Sequence, residues 1–248
     1  MIDSCLHLKK KDFRHIKYIS NKIKSHKIKK AFCYFDYQTT NKDREIFFEN
    51  CSKFNNVIPV TFLKKRKNMN EEINSIIKKN YKFVKIHPRF LNIRLSNQKF
   101  YLKTFRLLAK TNLKIIWCTF DGWEKTANEI NQLDFLANLI KLIPKKKIIL
   151  MHGGGPNLLK YYEKFRFINN VFLDLSYTLI HFKNTSLEKD MIFLTNNFDK
   201  RIIFGSDYPC FSLKEYIRCF QRLIKNSKIN KKKIYNLKYG NLENIIND

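Results

Sequence analysis

Eight short apolar runs, each followed by a stretch with helical spacing of apolar residues, are the feature that most constrains the fold of this chain. The runs are residues 1–7, 31–36, 57–63, 83–87, 113–118, 147–151, 171–175 and 201–207. Strands that alternate with helices in this way form parallel βαβ units, and eight such units close into a barrel. A doubly wound open sheet is the alternative, but it normally has a glycine-rich phosphate loop after its first strand, and the loop after residues 1–7 has no glycine. We therefore predict an α/β fold, a single (β/α)8 TIM barrel over residues 1–248.

The length and composition fit one large core. Barrels of about 250 residues form one domain, and 44% hydrophobic and 15% aromatic residues supply the apolar side chains that such a core needs. The formal net charge of +28 would suit nucleic acid, an acidic membrane or an anionic substrate. However, Lys, Asn and Ile are abundant along the whole chain, as in proteins from AT-rich coding sequences, and the lysine runs fall at the borders of predicted elements. We therefore predict a small-molecule substrate and no nucleic-acid partner.

The cysteines and the amino terminus predict a cytoplasmic location. Six scattered cysteines without a CxxC pair indicate a reducing compartment rather than a disulfide framework. The chain begins Met-Ile-Asp-Ser-Cys-Leu-His, without a basic segment followed by an apolar core, and no stretch approaches the ~20 apolar residues of a membrane span. We expect no membrane association.

Reactive side chains stand at the ends of several predicted strands. Because side chains alternate along a strand, Cys5 and His7 point to the same side of the first run. The later runs supply His87, Cys118, His152 and Asp207. In a (β/α)8 barrel the chemistry comes from the carboxyl ends of the strands, so these groups are expected to converge.

This set of side chains predicts a metal site. Cysteine, histidine and aspartate bind zinc, and a catalytic zinc keeps three protein ligands and an open position for water. Cys5, His7 and Cys118 would form a Cys2His site, with Asp207 either as a fourth ligand or as the base that takes a proton from the bound water. His87 and Arg89, which follow the fourth strand, are candidate substrate-binding residues, and Arg89 would suit an anionic substrate.

Six short motifs carry a family resemblance. They are residues 1–3 (Met-Ile-Asp), 84–88 (Val-Lys-Ile-His-Pro), 149–154 (Ile-Leu-Met-His-Gly-Gly), 172–176 (Phe-Leu-Asp-Leu-Ser), 203–209 (Ile-Phe-Gly-Ser-Asp-Tyr-Pro) and 239–242 (Tyr-Gly-Asn-Leu). In this order they resemble the amidohydrolase superfamily, in particular the amidohydrolase-related branch with aminocarboxymuconate-semialdehyde decarboxylase and lactone hydrolases. The motifs extend over nearly the whole chain.

The resemblance implies a divalent metal, most simply zinc, and a role for each matching residue. The family opens with His-x-His, adds a histidine on strand five and an aspartate on strand eight as ligands, and uses a histidine on strand six in catalysis. His7, His152 and Asp207 match this pattern, whereas Cys5 and Cys118 stand where histidines are expected. The implied reaction is attack of a metal-activated water on a carbonyl carbon, with Asp207 as the base and His152 assisting the leaving group. Decarboxylation of a carboxylated substrate is an alternative use of the same site.

Two other functions remain open on the sequence. The double replacement at Cys5 and Cys118 would also fit a barrel that has lost its metal and acts as a binding or regulatory protein. A phosphodiesterase or deoxyribonuclease resembling the TatD family would suit the positive charge. Those enzymes usually carry Glu on strand four and a Glu-Thr-Asp-like segment on strand eight, where this chain has Lys-Ile-His and Gly-Ser-Asp.

Overall fold

Eight parallel strands form one sheet in the order of the sequence. The computed structural model describes residues 1–8, 15–35, 38–120 and 131–248. The strands are β1 (Ile2–His7), β2 (Lys30–Tyr34), β3 (Val57–Phe62), β4 (Phe83–Ile86), β5 (Lys114–Cys118), β6 (Ile148–Met151), β7 (Val171–Asp174) and β8 (Ile202–Ile203). β8 returns to β1 through a parallel bridge between Leu6 and Tyr208. The predicted (β/α)8 barrel is confirmed.

Helices follow the strands on the outside of the barrel. They are α1 (Ile16–Ser25), α2 (Asn41–Ser52), α3 (Met69–Lys78), α4 (Gln98–Ala109), α5 (Gln132–Leu142), α6 (Leu158–Phe165), α7 (Thr178–His181), α8 (Leu187–Asn197), α9 (Leu213–Ser227), α10 (Lys231–Tyr235) and α11 (Asn241–Asn247). Within the part of the chain that the structure describes, no helix is long and apolar enough to span a membrane. Asp36, the predicted end of the second strand, lies outside the described residues, as do Asp12, where the sequence predicts a helix cap, and Asp121, where it predicts a turn.

The period of two along each strand divides the apolar residues into two clusters. Inward-facing side chains fill the barrel: Phe32, Val60, Phe83, Ile116, Ile149, Phe172 and Ile203. The alternate residues pack against the surrounding helices in a larger cluster. Leu242 and Ile245 of α11 join the inner cluster together with Ile2. Because Ile2 begins β1, α11 covers the amino-terminal end of the barrel and leaves the carboxyl-terminal end for the site.

The predicted eighth strand over residues 201–207 is much shorter in the structure. Only Ile202 and Ile203 pair with β7. The backbone carbonyls after them accept hydrogen bonds from β1: Ser4 N donates to Phe204 O at 3.0 Å, and His7 N donates to Tyr208 O at 2.6 Å. Because the chain no longer pairs with β7 after Ile203, it can bend there, and this bend brings Asp207 to the mouth of the barrel.

The helix after β8 provides a test of local stability. α9 begins after Ser212, whose side chain accepts a hydrogen bond from Glu215 N at 3.1 Å. Removing such a cap costs about 1 kcal/mol, so Ser212→Ala should lower the Tm by roughly 2–4 °C in a thermal melt. Ser212→Asp keeps an acceptor at the cap and should melt like the wild type. An unchanged Tm for Ser212→Ala would contradict the capping role.

Candidate active site

Three predicted site residues meet between the ends of β1 and β8. One ligand atom from each of Cys5, His7 and Asp207 lies within 4.8 Å of the other two. Cys5 Sγ donates a hydrogen bond to Asp207 Oδ1 at 3.2 Å, and His7 Nε2 lies 3.8 Å from the same oxygen. Among the described residues, these three side chains are the group that lies close enough together to hold a metal ion. Cys118 does not belong to this group.

The seam between β1 and the chain after β8 brings these residues together. Asp3 Oδ1 accepts hydrogen bonds from Cys5 N and from Ser206 N, both at 2.9 Å, and Ser206 Oγ donates to Cys5 O at 3.0 Å. Asp207 has a φ of 54°, a left-handed conformation that is strained for a residue with a Cβ atom. The hydrogen bonds on either side therefore hold the backbone in the conformation that directs the Asp207 carboxylate at Cys5 and His7.

The local charges set the protonation of this trio. Burial and the charge of Asp207 raise the pKa of the Cys5 thiol well above its usual value, so this side chain is a thiol and serves as a hydrogen-bond donor. Burial and the nearby Lys85 cation lower the pKa of His7 well below its usual value. His7 is therefore neutral and has a lone pair to offer.

Cys118 lies in a second cluster, with His87 and His152. It ends β5 and pairs in register with Met151 of β6, directly before His152. Burial alone would raise the pKa of Cys118, but the charge of His87, hydrogen bonds with His152 and His87 and the charge of Lys85 together lower it well below its usual value. Cys118 is thus a sulfur with thiolate character at the floor of the site, flanked by two imidazoles.

His152 is oriented by residues at the end of β7. Its Nδ1 lies 3.0 Å from Ser176 O, and Ser176 Oγ donates to Asp174 Oδ2 at 2.6 Å. Because Nδ1 is held by the backbone, Nε2 is the nitrogen left for the site. Burial acts to lower the pKa of His152, but the hydrogen bond with Cys118 and the charges of Cys118 and Asp207 outweigh it and raise the pKa. His152 is therefore suited to donate a proton.

The glycines after His152 permit a close turn. Gly153, Gly154 and Gly155 all have positive φ values. At Gly154, with φ of 85°, a Cβ atom would lie 2.2 Å from Cδ2 of Tyr161. Gly154 N donates to Thr119 Oγ1 at 2.7 Å, which ties this turn to the residue after Cys118. The glycine segment therefore packs closely against α6. Its hydrogen bond to Thr119 holds the end of β6 beside the end of β5.

The two predicted substrate-binding residues lie in different surroundings. His87 is half-buried and stacks on Phe90 with ring centroids 3.9 Å apart, and its Nδ1 is buried without a hydrogen-bond partner among the described residues. Arg89 is exposed beyond Pro88. The structure therefore brings His87 into the group around Cys118 and leaves Arg89 at the surface.

Lys85 is a site residue that the sequence analysis missed. It is 2% exposed, and its Nζ lies 3.3 Å from His7 Nε2. A signal was present in the sequence, because Phe83, Val84, Lys85 and Ile86 place one charged residue inside an otherwise apolar strand, on the face that it shares with Phe83. Ser176 and Asp174, which orient His152, belong to the motif at residues 172–176 but are not among the predicted site residues.

The chain resembles known proteins in sequence and in fold. Residues 65–236 match a family model described as amidohydrolase. No curated protein matches the sequence. An uncharacterised TIM-barrel protein from Bordetella bronchiseptica superimposes with a TM-score of 0.78 at 15% identity, over 100% of this chain and 98% of that chain.

Two further solved structures have the same fold. A probable 2-pyrone-4,6-dicarboxylic acid hydrolase from Acinetobacter baumannii with bound citric acid has a TM-score of 0.69 at 13% identity, over 100% of this chain and 99% of that chain. An amidohydrolase from Burkholderia multivorans with bound zinc has a TM-score of 0.68 at 12% identity, over 98% of each chain. At these identities the likeness establishes the shared barrel.

Proposed function

This chain belongs to the amidohydrolase family, and we propose that it is a metal-dependent hydrolase that cleaves a carbonyl-derived C–O or C–N bond of a small molecule. The family match confirms the resemblance inferred from the motifs and covers more than half of the chain. The convergence of Cys5, His7 and Asp207 is the observation that carries the proposal. The bound zinc of the Burkholderia structure and the pyrone hydrolase from Acinetobacter are consistent with it.

The residues present fit a zinc ion. Ligands that bind one tetrahedral zinc at 2.0–2.3 Å lie roughly 3–4 Å from one another, and the distances from Asp207 Oδ1 are 3.2 Å to Cys5 Sγ and 3.8 Å to His7 Nε2. A sulfur, an imidazole and a carboxylate suit zinc and related transition metals. His7 is neutral and can bind a metal through Nε2 once its hydrogen bond with the Lys85 ammonium is released, whereas Cys5 must lose its proton, because the thiolate is the ligand. We propose Cys118 as a further sulfur donor from the floor of the site.

The catalytic roles follow from the protonation states and hydrogen bonds. A divalent ion bound here would act as a Lewis acid on the substrate carbonyl and on water. Asp207, held at the barrel mouth, takes a proton from the attacking water. His152 presents Nε2 to the site while Ser176 O holds Nδ1, and its raised pKa favours the protonated form. It therefore donates a proton to the departing oxygen or nitrogen.

Metal content tests this function directly. Protein purified without chelator should contain about one zinc or other transition metal per chain. Asp207→Asn should weaken zinc binding by at least about 100-fold, because even changes outside the ligand set cost 10- to 100-fold. Cys118→Ala tests whether Cys118 is a fourth ligand. Zinc affinity should fall in this variant if Cys118 binds the metal, and should be retained if the site has three donors. Cys219→Ala, a cysteine on α9 away from the trio, is the control and should bind like the wild type.

A binding or regulatory protein without metal is the second candidate. The observation in its favour is the Lys85 ammonium, which lies 3.3 Å from His7 Nε2 and so occupies the nitrogen that a metal would need. A folded protein that takes up no metal after reconstitution under reducing conditions would overturn the hydrolase mechanism and favour this alternative.

A further inference from the structure

One face of α4 carries a row of cations without acidic neighbours. Exposed residues at spacings of four, three and four form this row, the α4 face, along the helix and its C-cap: Lys99, Lys103, Arg106 and Lys110. The chain has no Asp or Glu over residues 73–120, and across the described ranges none of the four cations pairs with a carboxylate. Like charges at these spacings repel one another. The α4 face therefore favours an anion from outside the chain.

The cations around α9 are better balanced. Arg222 Nη2 lies 3.1 Å from Glu188 Oε2, and Glu215 pairs with Lys183. Because α4 follows β4 and α9 follows β8, the two helices lie on opposite sides of the eight-stranded barrel. The sequence predicts no nucleic-acid partner, since lysine is abundant along its whole length. Abundance along a chain does not show which cations share a face, and the structure gathers an unbalanced set on α4.

A groove between α3 and α4 adds an aromatic ring to this surface. A cavity of about 490 Å³ lies where the loop before α3 meets the start of α4, and its lining is Lys65, Arg66, Lys67, Asn97 and Phe100. This volume is within the range of about 300–1,000 Å³ that is typical of small-molecule pockets. The Phe100 ring is 37% exposed. Lys82 and Lys110 line a second cavity of about 460 Å³ between the same helices, so cations flank the groove at both ends.

A single strand of nucleic acid suits both parts of this surface. Proteins that bind single strands without sequence preference combine a cationic groove for the phosphates with aromatic rings on which bases stack. The helical rise separates successive cations of the α4 face by about 4.5–6 Å along the axis, close to the spacing of neighbouring phosphates in an extended strand. A membrane surface would instead favour an apolar side chain at a protruding tip, whereas Phe100 lies in a groove between cations.

We propose that the α4 face and the groove at Phe100 bind single-stranded nucleic acid, with phosphates along the row of cations and a base stacked on the ring. The surface lies on the outside of the barrel and is separate from the candidate metal site. Contacts of this kind read the backbone and the face of a base rather than its edges. The binding is therefore expected to have little sequence preference.

Salt-dependent binding tests the role of the cations. Fluorescence anisotropy is measured with labelled oligo(dT) and oligo(rU) of about 15 nucleotides. Each phosphate contact with a single strand contributes about 0.7 to the slope of log K against log salt concentration. The combined variant Lys99→Gln, Lys103→Gln and Arg106→Gln should therefore reduce the magnitude of this slope by about two and weaken binding roughly 100-fold at 0.1 M salt.

A matched variant on α9 separates this face from the overall charge. Lys214→Gln, Arg218→Gln and Lys225→Gln together remove the same kinds and number of charges from exposed positions, and this protein should keep nearly the slope and affinity of the wild type. Glutamine is a good helix former, so both triple variants should melt like the wild type. An unchanged Tm excludes unfolding as the cause of weaker binding.

The stacking contact has its own test. Phe100→Leu should weaken oligonucleotide binding about 5- to 150-fold, the value of one stacked base, and should leave the salt slope unchanged because no charge is removed. Phe193→Leu, at a similarly exposed ring of α8, should bind like the wild type. Binding of either oligonucleotide in this pattern supports the site, and their relative affinities distinguish RNA from DNA.

Four results would overturn the proposal. They are the absence of binding of both oligonucleotides to the wild type at about 50 mM salt, an equal loss in the α4 and α9 triple variants, an unchanged affinity in Phe100→Leu, and binding of phosphatidylserine vesicles but not oligonucleotides through the α4 face. The second would assign the binding to the net charge of +28, and the last would assign the face to a membrane surface. None of these measurements depends on metal content or hydrolysis, so the proposed function and this site fail or stand separately.

Discussion

An Arg44→Met variant should lose about 3–5 kcal/mol of unfolding free energy, as expected when one member of a buried ion pair is removed. Arg44 on α2 and Glu72 on α3 are each 2% exposed, and Arg44 Nη2 donates to Glu72 Oε1 and to Phe62 O, both at 2.7 Å. The pair therefore joins two helices to the end of β3. Without Arg44, the buried Glu72 carboxylate keeps, among the described residues, only the hydrogen bond from Lys64 N at 3.0 Å and the more distant Arg66. In a melt, the Tm should fall by roughly 6–20 °C.

Two further variants show whether the buried charge is the cause. Arg66 contacts the same carboxylate, with Nε 3.5 Å from Glu72 Oε2, but its side chain is 50% exposed. Arg66→Met should therefore cost at most about 1 kcal/mol. The double variant Arg44→Met with Glu72→Gln removes both buried charges and should be more stable than Arg44→Met alone. A double variant that is less stable than Arg44→Met would contradict the explanation.

Gly205→Ala should both destabilise the protein and impair metal binding. A Cβ atom at Gly205 would lie 2.5 Å from Ser4 Oγ, 2.7 Å from Cys5 N and 2.9 Å from Cys5 Cβ. The chain after β8 would have to move away from β1, and overpacking of this kind costs about 1–3 kcal/mol, occasionally more. Because Cys5 and Asp207 lie on the two sides of this contact, the movement also separates two candidate ligands. Zinc affinity and Tm should fall together.

Gly240→Ala is the matched control. Gly240 has helical φ and ψ values of −55° and −43°, and a Cβ atom there would lie 3.2 Å or more from its neighbours. Alanine is favoured over glycine in helices by up to about 1 kcal/mol, so this variant should be as stable as the wild type and bind zinc normally. Normal zinc binding by Gly205→Ala would show that the β1–β8 contact does not position the ligands.

The sequence by itself determined the architecture, because hydrophobic period is a local property. Apolar runs of strand length at residues 83–87 and 113–118, each followed by helical spacing, specify strand and helix without knowledge of any distant contact. Their strict alternation then leaves few topologies. The same period placed Cys5 and His7 on one face of β1 and identified strand ends as the place for Cys118, His152 and Asp207.

Only the tertiary structure decided which of these strand ends touch. The hydrogen bond between Cys5 and Asp207 joins residues 202 positions apart, and it depends on the closure of the barrel rather than on either segment. The same closure gathers Cys118 with His87 and His152 and places Lys85 against His7. Sequence period gives the direction of a side chain relative to its own strand. The distance between side chains on different strands is set by the tilt and closure of the whole barrel, and the chemistry of the site is determined by those distances.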